Sequence, residues 1–182
     1  MTSREIEEYR ALRDTIRERS TARVWIAFAG FAAWAALSTV IAIWTELPIA
    51  TLVPLLVLLA TFEIVFALHV GVERVGRYIQ VFFEDEQADR GWEHQAMEFG
   101  RRFPGGGIDP LFSVQFWWAI VLNLIPAALA APAAIEWLVV GTAHAIAILR
   151  IVNGRRYART QRASDLDHFR TLKAGSPPAA HP

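Results

Sequence analysis

Long apolar blocks alternate with charged ones along this chain. Residues 24–72 and 111–149 are dominated by aliphatic, aromatic and alanine side chains. Each block is too long for one bilayer crossing and suits two, because the hydrocarbon core takes ~20 apolar residues per helical span. Residues 24–44 contain no Asp, Glu, Lys or Arg, which predicts a first transmembrane helix. Thr45-Glu46-Leu47-Pro48 reads as a turn, with Pro48 in a first helical turn, where its missing N–H would have been unpaired anyway. The second span covers about 49–72. Gly105-Gly106-Gly107 and then Asp109-Pro110, an N-cap carboxylate before an N1 proline, announce a third span over about 111–130. Pro126 inside it should free the carbonyl of Leu122 and bend the helix. Pro132 marks the return, and a fourth span covers about 133–151. The pattern predicts an all-α integral membrane protein with four transmembrane helices arranged as two helical hairpins, carrying amphipathic helices on the cytoplasmic side.

The charge total is uninformative, with 18 Lys+Arg against 18 Asp+Glu, but the charge positions are informative. Every basic residue falls in 1–23, 73–110 or 150–182, and both hairpin turns have none. The positive-inside rule therefore places these three segments in the cytoplasm, with both termini inside a plasma (inner) membrane. An even number of spans requires the same result. The expected organisation is an N-terminal amphipathic helix (1–23), a hairpin (24–72), a helical connector (73–110), a second hairpin (111–151) and a basic C-terminal segment (152–182). A signal peptide fits the first block poorly, since a polar stretch with five acidic residues precedes it.

Outside the apolar blocks, helical spacing recurs. Thr2 and Glu5 form a capping box, Arg4–Glu8 and Arg10–Asp14 have ion-pair spacing, and Ile6, Tyr9, Leu12 and Ile16 make a narrow stripe. That helix should lie on the inner surface or pack on the other cytoplasmic segments. Val75, Ile79, Phe82 and Phe83 continue the second span's helix to about Glu86, and Trp92, Ala96, Phe99 and Phe103 mark an amphipathic helix at headgroup level. Ser164 before Asp165 and Asp167 reads as the cap of a short helix. Residues 174–182, rich in proline, read as a disordered tail.

Candidate chemistry is sparse. There are no cysteines, which excludes disulfides, thiolate zinc sites and cysteine nucleophiles. No phosphate-binding loop, His-Glu-x-x-His, Gly-x-Ser-x-Gly or calcium-loop pattern is present. No cofactor is expected, and an enzyme is the less favoured reading because no catalytic motif supports it. Nucleic acid is not an expected partner, because Tyr157 is the only aromatic residue near the short basic run. Polar residues inside lipid are costly and therefore stand out. Glu63, Asn123 and His144 lie at depth in three different spans; they read first as hydrogen-bonding partners that help helices associate, and if the three helices pack together they could hold a proton, cation or polar substrate. At the inner boundary, His69 and Glu73 share a helix face with Arg74 and Arg77 following; a Glu73–Arg77 ion pair fits better there than a metal site. Arg150, Arg155, Arg156, Arg159 and Arg162 are placed to meet anionic lipid headgroups. Ala29, Ala32, Ala33 and Ala36, with Gly141 and Ala145, form small-residue rows that permit close helix contact within or between chains.

These features predict a non-catalytic membrane component that assembles with itself or with a membrane or cytoplasmic protein partner. An oligomeric proton or cation pathway through Glu63, Asn123 and His144 is the competing expectation. A lipid-acting enzyme near His69 and Glu73 is the third.

Overall fold

A computed structural model describes residues 2–84, 91–103 and 112–175, and all regular structure among them is helical. The elements are α1 (Ser3–Trp44), a 3-10 turn (Pro48–Thr51), α2 (Leu52–Ile79), a π-helical turn (Gln80–Glu84), α3 (Trp92–Arg102), α4 (Ser113–Leu122), α5 (Leu124–Leu129) and α6 (Ala134–Lys173). Three stretches are long and apolar enough to cross a membrane: Ser3–Trp44, Pro48–Glu84 and Ala134–Lys173. The glycine run, Asp109-Pro110, Glu86 and the end of the proline-rich tail lie outside the described residues.

The third expected span differs from its predicted form. Instead of one helix there are two, with 10 residues in α4 and 6 in α5, separated at Asn123. Pro126 has no N–H to return to the Leu122 carbonyl, so the helix loosens one residue later. At ~1.5 Å per residue the pair rises roughly 25 Å, somewhat less than a ~30 Å hydrocarbon core.

Helix continuity bears on two other expectations. The N-terminal amphipathic segment runs without a break into the first apolar block, because α1 extends from Ser3 to Trp44, and its Tyr9 and Glu8 meet Phe83 and Tyr78. Likewise α6 continues through Ser164, which caps nothing, since no break occurs there. The capping box at the start of α1 does form: Glu5 N–H donates to Thr2 Oγ1 at 3.3 Å and Glu5 accepts from the Thr2 N–H. That backbone hydrogen bond holds the Glu5 carboxyl below its ordinary pKa.

Contacts divide the chain into two compact units. The apolar unit comprises Ala22–Ala67 and Asp109–Arg156, and the charged unit comprises Met1–Thr21, Leu68–Ile108 and Tyr157–Pro182. In the apolar unit, Leu55, Leu58 and Phe62 of α2 pack on Phe116, Ala119 and Ile120 of α4 and on Ala147 and Ile151 of α6. Phe116 meets Phe62 edge-on with centroids 5.4 Å apart, and Phe31 of α1 closes over it at 4.8 Å. Gly30 sets how close α1 comes to α2, because a Cβ there would overlap the Thr61 side chain. The alanines at 29, 32, 33 and 36 are exposed instead, and nothing lies near Gly141. In the charged unit, Tyr78 and Phe82 of the second helical stretch meet Phe169 of α6 edge-on, while Tyr9 of α1 meets Phe83.

Candidate functional site

Asn123, in the one-residue break between α4 and α5, is 1% exposed and uses its whole hydrogen-bonding capacity. Oδ1 accepts from Trp34 Nε1 at 3.0 Å and from the Ser38 hydroxyl at 3.3 Å, both on α1. Nδ2 donates to the Thr51 carbonyl at 2.9 Å and faces His144 Nε2 at 3.1 Å. These contacts fix each proton position. Trp34 Nε1 can only donate, so the amide oxygen must face it, and the amide nitrogen therefore faces His144. His144 Nε2 must then accept, leaving Nδ1 as the protonated nitrogen, and Nδ1 donates to the Val140 carbonyl one turn back at 2.7 Å. The imidazole is the Nδ1–H tautomer with both nitrogens occupied. One carboxamide thus clasps α1, the turn before α2, the α4–α5 break and α6.

Glu63 does not join this pair, which corrects the expected three-residue cluster. Its carboxylate is gripped by Arg150, with Nε at 2.6 Å from Oε1 and NH2 at 2.7 Å from Oε2. A guanidinium outcompetes a neutral imidazole for a carboxylate, because its hydrogen bond is charge-assisted and a second nitrogen adds an ion-pair contact. Arg150 also lies over the rings of Phe66 and Phe62, at 5.2 Å and 6.0 Å. Of the five arginines expected at lipid headgroups, Arg150 is therefore engaged by Glu63, Arg162 by Glu73 at 2.8 Å, and Arg155 rests over the Trp117 ring. Arg156 and Arg159 are exposed.

The four boundary candidates all lie in the charged unit. His69 is buried and, with Glu73, Gln161, Arg162 and Asp165, lines a small crevice. Glu73 Oε2 accepts from Arg77 at 3.3 Å and forms an ion pair with Arg162 at 2.8 Å, so one carboxylate oxygen carries two guanidiniums. Arg77 also donates to Gln80 at 2.8 Å, and Arg74 pairs with Asp165 at 3.2 Å. Among the described residues, no three His, Asp or Glu side chains come together to hold a metal ion.

A buried ion cluster in the same unit was not anticipated. Arg13 of α1 bridges Glu84 at 3.1 Å and Glu93 at 2.6 Å. Burial opposes the Arg13 charge, but hydrogen bonds with Tyr9 and Glu93 outweigh it and hold its pKa above the ordinary value. Glu84 Oε2 accepts the backbone N–H groups of Glu93 and His94 at 2.9 and 3.3 Å, so a carboxylate from the π-helical turn caps α3. Gly91 permits this, since a Cβ there would overlap the carboxylate. The ion pairs expected from local spacing give way: Glu8 accepts from Tyr78 at 3.0 Å, and Asp14 pairs with Arg17 at 3.1 Å. Trp34 and Ser38, four apart on α1, were the one legible hint of the Asn123 clasp. No protein-family model matches this chain, and neither a curated protein nor a solved structure was found to be similar to it.

Proposed function

We propose that the chain is a four-span protein of the plasma (inner) membrane, with both termini cytoplasmic, acting as a non-catalytic component that assembles with further copies of itself or with another membrane protein. The saturation of its in-span polar groups carries this reading. Asn123 has no hydrogen-bonding position left, both His144 nitrogens are occupied, and Glu63 is held by Arg150 through one hydrogen bond and one further ion-pair contact. Such groups join helices and offer a substrate or ion nothing to exchange with. A proton or cation pathway through Glu63, Asn123 and His144 would need those atoms to trade partners. An enzyme near His69 and Glu73 would need a carboxylate less committed than one bearing two guanidiniums.

The α4–α5 pair supplies the fourth crossing in this reading. Three crossings would put the arginine-rich ends on opposite sides, against the positive-inside rule. The exposed row Ala29, Ala32, Ala33 and Ala36 offers the flat face along which a second membrane helix packs closely. Because the chain has no cysteine, Ala32→Cys introduces a single thiol. Oxidation in native membranes should give a cross-linked dimer or a heterodimer at Ala32→Cys and none at Val139→Cys on α6. Monomers at both positions refute the assembly, and tags at the two ends reporting opposite compartments refute the topology.

A further inference from the structure

The charged unit contains a cleft of about 550 Å³ that neither the Asn123 clasp nor the Arg13 cluster uses. Its volume lies in the range of small-ligand pockets, ~300–1,000 Å³. One wall is polar: Glu73, Arg77 and Arg162. The facing wall comes from α3 and is apolar: Trp92, Met97 and Gly100. The polar wall is short of negative charge, since Glu73 is the one carboxylate shared by Arg77 and Arg162. Glu93, which also borders the cleft, is already bonded to Arg13.

Both guanidiniums have unused donors. Arg77 is 5% exposed; its Nε is itself buried, so a ligand in the cleft would meet its terminal nitrogens, each of which gives one N–H to Gln80 or Glu73 and keeps a second. Arg162 meets Glu73 through Nε, and its terminal N–H groups have no partner among the described residues. The opposite wall has an equally unused apolar surface: Trp92 is 70% exposed, and the space above Gly100 is open. Two donor-rich cations opposite an aromatic and a thioether side chain match a molecule with an acidic head and an apolar body.

We infer that this cleft binds one amphiphilic oxyanion, a phosphate or carboxylate bearing an alkyl chain, with its head on Arg77 and Arg162 and its chain along Trp92 and Met97. The same chemistry is offered by an acidic phospholipid of the bilayer and by a single-chain amphiphile from the aqueous phase. The inference holds whether or not the chain self-assembles.

The test is ligand retention by the full chain, purified in a non-ionic detergent and read by native mass spectrometry. The probes are decyl phosphate, dioleoyl phosphatidylglycerol and dioleoyl phosphatidylcholine, each titrated against wild type, Gly100→Leu and Arg162→Gln. Gly100→Leu fills the cleft and should improve the helix propensity of α3, so its loss of binding cannot be assigned to unfolding. One acidic ligand per chain should be retained in preference to phosphatidylcholine, and both variants should bind it about tenfold more weakly, the scale of one charge-assisted contact. Retention of phosphatidylglycerol alone assigns the bilayer as the source, decyl phosphate alone assigns the aqueous phase, and both together show that the head and one chain suffice. Equal retention of the acidic and zwitterionic probes overturns the inference. So does undiminished retention by Gly100→Leu.

Discussion

Asn123→Ala is the sharpest test of the clasp. The substitution removes four hydrogen bonds that connect Asn123 to α1, the turn before α2 and α6. Ser38 can turn its hydroxyl back to its own helix, and the Thr51 carbonyl stands at the start of α2, but the Trp34 indole N–H and His144 Nε2 would be left without partners. Hydrogen bonds between membrane helices average about 0.6 kcal/mol and reach about 1.7, so the set should be worth roughly 2 to 4 kcal/mol. Ser38→Ala, which removes the longest of the four, should cost about 0.6 kcal/mol. His144→Leu should cost about 1 kcal/mol, since it leaves one Asn123 N–H unpaired. In the Asn123→Ala background His144→Leu should cost almost nothing more, because its interhelical partner has already gone. The assay is reversible unfolding in mixed micelles by a denaturing detergent, run on wild type and all four variants. An Asn123→Ala cost within ~0.5 kcal/mol of zero, or single-mutant costs that add within ~0.3–0.5 kcal/mol, would refute the reasoning.

Three further outcomes follow from other contacts. Gly30→Ala should lose about 1–3 kcal/mol by overlapping Thr61, whereas Gly141→Ala, with open space around it, should gain up to about 1 kcal/mol of helix propensity; thermal melts that shift in the same direction for both would refute this packing. Glu63→Gln and Arg150→Gln should each lower membrane-inserted yield by stranding a charge in the span, at least ~2.5 kcal/mol on insertion scales, and the double variant should recover most of it; a double variant no better than the worse single one would dismiss the pair. Burial, then the hydrogen bond to Glu8, raises the Tyr78 pKa above the ordinary 10.0. Its contribution to stability is therefore complete below 10.0 and fades as pH climbs through the folded-state value. Phenolate absorbance in a Tyr9→Phe, Tyr157→Phe background should show a midpoint above 10.0 that falls in Glu8→Gln, and a midpoint at 10.0 in the parent would contradict the burial.

The long helices were legible because charge-free windows are a statement about solvent that no packing detail can reverse. The interruption between α4 and α5 was legible for the same kind of reason, since Pro126 removes a donor whatever surrounds it. Helix rotation was not. Alanines at 29, 32, 33 and 36 and Gly30 all belong to α1, and sequence alone ranks the alanine row as the packing face. The fold uses Gly30 against Thr61, where a Cβ would overlap, and leaves the alanines outside. A span that is apolar nearly all round has too small a moment to say which face turns inward.

The polar contacts divide along the same line. Rules of local spacing correctly brought Glu73 within reach of Arg77, because i,i+4 neighbours meet whatever the tertiary structure does. They gave the wrong partners for Glu8 and Asp14, since an exposed pair contributes only ~0.3–0.5 kcal/mol and yields to a better tertiary partner such as Tyr78. Arg13 with Glu93 and Arg150 with Glu63 lie 80 and 87 residues apart, and no local pattern marks a pair at such a distance. Asn123 shows why depth alone misleads. A polar side chain in a span costs most when unpaired, so the fold surrounds it with partners until nothing is left to offer a ligand. Donors that remain unpaired, as on Arg77 and Arg162, are therefore a better pointer to a binding site than polar residues buried in lipid.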